Sequence, residues 1–98
     1  MNRPVLFRPA AEREMLEAEA WFEERQLELG RRFRAAVDET IERVRELPLA
    51  FPVVHGQKRR ALVSRFPYAI YFALISDTIV VAGVVHGHRD PAVWRSRR

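Results

Sequence analysis

The sequence predicts an α+β fold: an N-terminal strand, an antiparallel helical hairpin and a small, mainly antiparallel sheet, ordered β-α-α-β-β-β in one domain of residues 1–98. Three observations carry this. Apolar residues recur at helical spacing in two stretches, Ala10 to Gln26 and Arg31 to Leu47, joined by only Leu27–Gly30. Two apolar runs, Tyr68 to Ile75 and Thr78 to His86, are split by the dipeptide Ser76-Asp77, the pattern of a β-hairpin. Neither run has a polar face, so both read as interior strands covered on two sides.

Taken in order, Arg3 to Arg8 (RPVLFR) is a short apolar run with β character. Pro9 ends it and suits the first turn of a helix. In the first helix Ala11, Met15, Ala18 and Phe22 form the stripe, Leu16 and Ala20 widen it, and glutamates fill the opposite face. Gly30 is read as the residue that permits the tight change of direction. The second helix carries Phe33, Val37, Ile41 and Val44, with Ala36 and Leu47 beside them, and Pro48 stops it. Pro48 to Gly56 reads as a loop pinned to the core by Phe51 and Val53-Val54, and Gln57 to Ser64 as the strand that begins the sheet proper.

Strict alternation puts Tyr68, Ile70, Phe72 and Leu74 on one face of the hairpin's first strand and Ala69, Tyr71, Ala73 and Ile75 on the other. On the second strand it separates Ile79, Val81, Gly83 and Val85 from Val80, Ala82, Val84 and His86. The expected core is therefore Phe33, Val37, Ile41, Ile70, Phe72, Val81 and Val85. The helical hairpin covers one face of the sheet; the tail, the loop or another protein must cover the other.

With 98 residues the chain can bury a core without metals or disulfides. Having no cysteine, it has no thiolate chemistry. Its opening residues, MNRPVLFRPA, lack the apolar core of a secretion signal, and its longest apolar run, Ile79 to Val85, is far short of the ~20 residues of a membrane span. The expectation is a soluble, cytoplasmic protein.

The net charge of +4 is unevenly spread. Residues 9–30 carry seven glutamates against Arg13 and Arg25, a balance of −5, whereas residues 49–98 carry Lys58 and seven arginines against Asp77 and Asp90, a balance of +6. The sheet and tail thus suit an anionic partner, nucleic acid or an acidic peptide. Arg59, Arg60, Arg65, Arg89 and the closing Arg95-Ser96-Arg97-Arg98, with Phe66, Tyr68 and Trp94 among them, could form a surface for single-stranded RNA; equally, they could be a solvated sheet edge with Trp94 folded back as a plug. His86 and His88 are two apart, as paired metal ligands on a strand would be, but no third ligand is near and no metal or cofactor is expected. His86 reads instead as a strand-end histidine bonded to backbone, and His88 as an exposed group titrating near neutrality. If RNA were cleaved, His88 could move the proton, and Arg60 and Arg89 could hold the phosphate. The sequence matches no nucleophile triad, glycine-rich phosphate loop or paired-carboxylate site.

The combination Arg60-x-Leu62, Arg65-Phe66-Pro67-Tyr68-Ala69-Ile70-Tyr71-Phe72, Asp77-Thr78-Ile79-Val80-Val81 and His86-x-x-Arg89-x-Pro91-x-x-Trp94 resembles the RelE/ParE superfamily of bacterial toxins. The opening strand, Ala11, Trp21-Phe22, the Leu29-Gly30 turn with Phe33, and Pro48 also sit where that family has them, in the branch often labelled plasmid stabilisation protein. The resemblance implies the toxin of a type II toxin–antitoxin module. In the ribosome-dependent endoribonucleases of the RelE type, two lysines, an arginine and a tyrosine do the work. Their positions fall here on Arg60, Leu62, Ala69 and Trp94, of which only Arg60 keeps a basic group.

The ParE type, which is not a hydrolase and poisons DNA gyrase, fits better. On that reading the partners are gyrase and an antitoxin whose disordered, acidic segment folds onto the toxin in a hetero-complex. The expected toxic or partner-binding surface is Arg60, Arg65, Tyr68, His86, His88, Arg89 and Trp94. The alternatives are a RelE-type endoribonuclease, using His88, Arg89 and Arg60, and a non-toxic binding module derived from the fold.

Overall fold

A computed structural model describes residues 3–87. Its elements are β1 (Val5–Phe7), α1 (Pro9–Arg25), α2 (Leu29–Glu46), a short 3-10 turn (Pro48–Ala50), β2 (Val53–His55), β3 (Lys58–Leu62), β4 (Tyr68–Ile75) and β5 (Thr78–His86). The five strands form one sheet in the order β1-β5-β4-β3-β2, with β1 parallel to β5 and every other pair antiparallel. The α+β class and the element order follow the sequence expectation, with one addition. Val53–His55, read as part of a loop, is an edge strand on β3. Three residues are too few for a periodic signal. Phe51 does pin this segment, its ring 5.8 Å from that of Phe72.

The helices bury the expected stripes. Ala11, Met15, Ala18 and Phe22 face the core from α1, and Phe33, Val37, Ile41 and Val44 from α2. Leu16 and Ala20 do not widen the α1 stripe; both are exposed. Each residue turns ~100° about the helix axis, so the neighbour of a buried position swings toward water unless another element waits there. Leu47 is exposed for a simpler reason: α2 ends at Glu46 and the chain turns away.

Gly30 has a different task from the one expected. The left-handed residue between the helices is Glu28, with φ 69°, and Gly30 already lies in the first turn of α2. A Cβ at Gly30 would stand 2.5 Å from the Glu19 carbonyl oxygen, so glycine is needed there to let the two helices approach. Glu23 completes the junction. Its carboxylate accepts the Glu28 N–H at 2.9 Å and the Gly30 N–H at 3.0 Å, satisfying donors that the start of α2 leaves open.

The β4–β5 turn is the expected two-residue hairpin. Ser76 and Asp77 have φ 48° and 68°, both left-handed, as a type I′ turn requires. Asp77 also accepts from the Arg3 guanidinium at 3.0 Å, and Arg3 donates to the Arg45 carbonyl, so the turn, β1 and the end of α2 are tied together.

The largest departure from simple alternation lies in β5. Phe72 pairs with Val81 but Tyr71 pairs with Gly83, leaving Ala82 as an extra residue. This β-bulge inverts the facing of everything after it. Ile79 and Val81 join the helix-side core, as expected, but so does Val84, while Val85 falls in a separate cluster with Ala69 and Tyr71 on the other face. All seven expected core residues are buried, but Val85 is buried on the opposite side from the other six. Both strands are covered on two faces, as read from their lack of a polar side.

Truncating Phe72, fully buried at the centre of the helix-side core, to alanine is expected to lower stability by about 3–5 kcal/mol in urea denaturation. Gly30→Ala is expected to cost about 1–3 kcal/mol, because a backbone oxygen has to move; an unchanged midpoint would show that the helices can part at no cost.

Candidate functional site: a carboxylate-walled aromatic groove beside the sheet end

The bulge determines where the end of β5 points. Without the extra residue, His86 would share a face with Val80, away from the helices. With it, His86 pairs with Tyr68 on the helix side, their rings 5.4 Å apart at 74°. Tyr68 belongs to an aromatic cluster, 5.1 Å from Phe33 and 5.9 Å from Phe22, and Phe22 in turn meets Trp21 edge-on at 5.1 Å. Such edge-to-face contacts, each worth roughly 0.5–1.5 kcal/mol beyond area burial, hold the rings in place.

Between α1 and this strand end lies a groove of about 520 Å³. Ala18, Phe22, Tyr68, Val84 and Val85 contribute apolar surface, and Glu14, Glu17, Trp21, Pro67 and His86 complete the lining. Trp21 is about half exposed, and the Arg25 guanidinium sits 3.9 Å from the centre of its ring. The loop from β3 to β4 is fixed by Arg65 in the left-handed region, φ 70°, and by the Gly87 N–H donating to the Pro67 carbonyl at 2.8 Å. Glu14 also contributes to the backbone: its carboxylate accepts the Val84 N–H at 3.0 Å, just beyond the bulge.

The residues singled out in the sequence are divided among several places. Tyr68 and His86 come together in the groove. Arg65 lies elsewhere, in a depression of about 550 Å³ beside α2, shared with Leu29, Arg32, Ala36 and Phe66. Arg60 pairs with Tyr71 on the sheet face turned away from the helices. His88, Arg89 and Trp94 lie outside the described residues. Trp21, Glu14 and Glu17 were not among the expected site residues. The glutamates read as a solvated helix face, and nothing local tells such a face from the wall of a groove. Trp21, an exposed tryptophan beside a buried phenylalanine, was the available signal.

The described lining of the groove thus joins apolar and aromatic surface to two glutamates, Glu14 and Glu17. Among the described residues, no group of three or more His, Asp or Glu side chains could hold a metal ion, and no helix is long and apolar enough to cross a membrane.

The helical hairpin packed on a five-stranded, mainly antiparallel sheet matches a ParE-like fold. A solved structure described as a chromosomal ParDE TA system from P. aeruginosa superposes with a TM-score of 0.69 at 10% sequence identity, over 85% of this chain and 94% of that one. At that identity the likeness is one of fold. No family model and no curated protein matches the sequence.

Replacing Glu14 by alanine is expected to leave the Val84 N–H without its acceptor and to cost about 1–3 kcal/mol. Glu14→Gln, which keeps an accepting oxygen, should retain most of the stability. Amide exchange at Val84 should quicken in the alanine variant and not in the glutamine variant.

Proposed function

We propose that this chain is the toxin of a type II toxin–antitoxin pair and acts in the ParE manner, by binding and inhibiting DNA gyrase rather than by cleaving RNA. The fold likeness and the sequence resemblance support the toxin reading. The preference for binding over hydrolysis rests on one observation. Arg60, Leu62 and Ala69, at the positions where the resemblance places the ribonuclease's working groups, share the sheet face turned away from the helices, and Leu62 pairs directly with Ala69. Leu62 is 65% exposed and Ala69 is buried, so two of these three positions hold aliphatic side chains where a ribonuclease would need cations around a phosphate. Of these three positions only Arg60 keeps a positive charge, so the other two give nothing to offset the charge that develops on a cleaving phosphodiester.

The acidic segment of the antitoxin has its charge complement at Arg32 and Arg65, which together with Glu39 line a partly apolar depression, and at Arg60 on the other face. To engage both, a segment must wrap around the sheet edge. It would lose chain entropy on ordering, and buried apolar area with charge-assisted contacts would have to offset that loss.

The purified chain is expected to inhibit gyrase supercoiling while leaving mRNA intact in a translating extract. Codon-phased mRNA cuts that vanish in His88→Ala would reverse the assignment and make the protein an endoribonuclease. Antitoxin association should slow as salt rises, while dissociation changes little, because screening acts on steering; an association rate flat with salt would remove the electrostatic part.

A further inference from the structure

We propose that the depression beside the first turns of α2 binds a nucleotide, its phosphate between Arg32 and Arg65 and its base against Phe66. This goes beyond the toxin reading and does not depend on it. The site lies on the helix side of the sheet, apart from both the α1 groove and the Arg60 face.

Several arginines near the helices are already engaged. Arg34 pairs with Glu19, Arg45 with Glu42 and Arg3 with Asp77, while Arg43 donates to Thr40. Among the described residues, neither the Arg32 nor the Arg65 guanidinium has a hydrogen bond or ion pair. Both line the same depression of about 550 Å³, within the ~300–1,000 Å³ of ligand-binding clefts. Arg65 also stands in the left-handed region, φ 70°, which glycine or asparagine enters more readily. Its loop holds it there: the Val63 N–H donates to the Tyr68 carbonyl at 3.0 Å, and the Tyr68 N–H to the Phe66 carbonyl at 2.8 Å. An arginine kept at a conformational cost is the pattern of a residue retained for its side chain.

The lining is mixed, and the mixture selects the ligand. Arg32 and Arg65 outnumber Glu39, the one carboxylate among the described lining residues, and guanidiniums take phosphate oxygens in paired hydrogen bonds. Phe66 is half-buried, its ring held edge-on 5.0 Å from Phe22 and 5.2 Å from Phe33, so it is fixed before anything binds. Leu29 and Ala36 extend this apolar surface, which suits the flat face of a base. Glu39 and the Ser64 hydroxyl can accept from hydroxyl or amino groups. A nucleotide carries all three parts: an anion, a planar ring, and donors on sugar and base. An acidic peptide would meet the arginines but set its carboxylates against Glu39. The antitoxin's acidic segment proposed above would compete for the same two arginines.

The test titrates the full, isotope-labelled chain by NMR with adenosine monophosphate, adenosine, inorganic phosphate, a short single-stranded oligonucleotide and a glutamate-rich peptide. The nucleotide is expected to shift the amide signals of Arg32, Ser64, Arg65 and Phe66. Adenosine and inorganic phosphate, each lacking part of the ligand, should bind at least tenfold more weakly. Arg65→Gly removes the guanidinium yet suits the left-handed backbone, so the fold should persist by circular dichroism while nucleotide affinity falls tenfold or more. Arg32→Gln should weaken binding likewise, and Arg13→Gln, exposed on α1, should change nothing. An oligonucleotide that shifts the same amides at lower concentration than the mononucleotide supports the chemistry and assigns the ligand to a strand; preference for the mononucleotide supports it and assigns a free metabolite. Inorganic phosphate binding as tightly as the nucleotide, affinity unchanged in a folded Arg65→Gly variant, or tighter binding of the glutamate-rich peptide at these residues would each overturn the proposal.

Discussion

The pairing of β4 with β5, interrupted by a single extra residue at Ala82, is the constraint on which the rest of the molecule depends. The two strands are the longest in the sheet and are buried on both faces, so every residue's facing has a cost if it is wrong. Up to Val81 the apolar residues on odd positions serve the helix-side core. After the bulge, Val84 serves that core, Val85 serves the opposite face, and His86 emerges against Tyr68 and α1. One inserted residue therefore moves the strand's ionisable end from one side of the sheet to the other.

The helical hairpin accommodates this arrangement as well as covering it. α1 lies against β5, and its Glu14 carboxylate takes up the Val84 N–H, a donor next to the irregular part of the ladder. The same helix is drawn close to α2 by Gly30, which leaves no side chain between them, and by Glu23, which closes the start of α2. Side chains that look in the sequence like a uniformly acidic, solvated surface thus divide into distinct roles. Glu23 caps a helix and Glu14 completes a strand, while Glu17 gives the groove its charge.

The distribution of charge follows the layers. α1 presents its carboxylates beside an aromatic groove, whereas α2 carries five arginines, and Arg60 and Arg65 lie on β3 and its turn, with Arg60 on the far face and Arg65 beside α2. Arg60 and Arg65 therefore lie away from the groove's carboxylates. Tyr68 and His86 share their groove with two carboxylates, while Arg60 lies on the other face of the sheet.

Fold class, element order, the helical stripes and the two-residue hairpin were legible in the sequence because each rests on local periodicity or a local break: Met15 after Ala11, Val37 after Phe33, Ser76-Asp77 between two apolar runs. The site was legible only in pieces. Tyr68 and His86 stood out as residues, but their meeting depends on Ala82 being skipped, and the near-continuous apolar composition of Thr78–His86 has no polar face against which a slip in alternation could be seen. For the same reason the division of Val84 and Val85 between two faces could not be read from the chain. Trp21 and Glu17 became part of a groove only when α1 packed beside the end of the sheet, a contact between residues some fifty positions apart. Local sequence encodes which faces an element has. What each face meets is decided by long-range packing, and here by one bulge that nothing local announces.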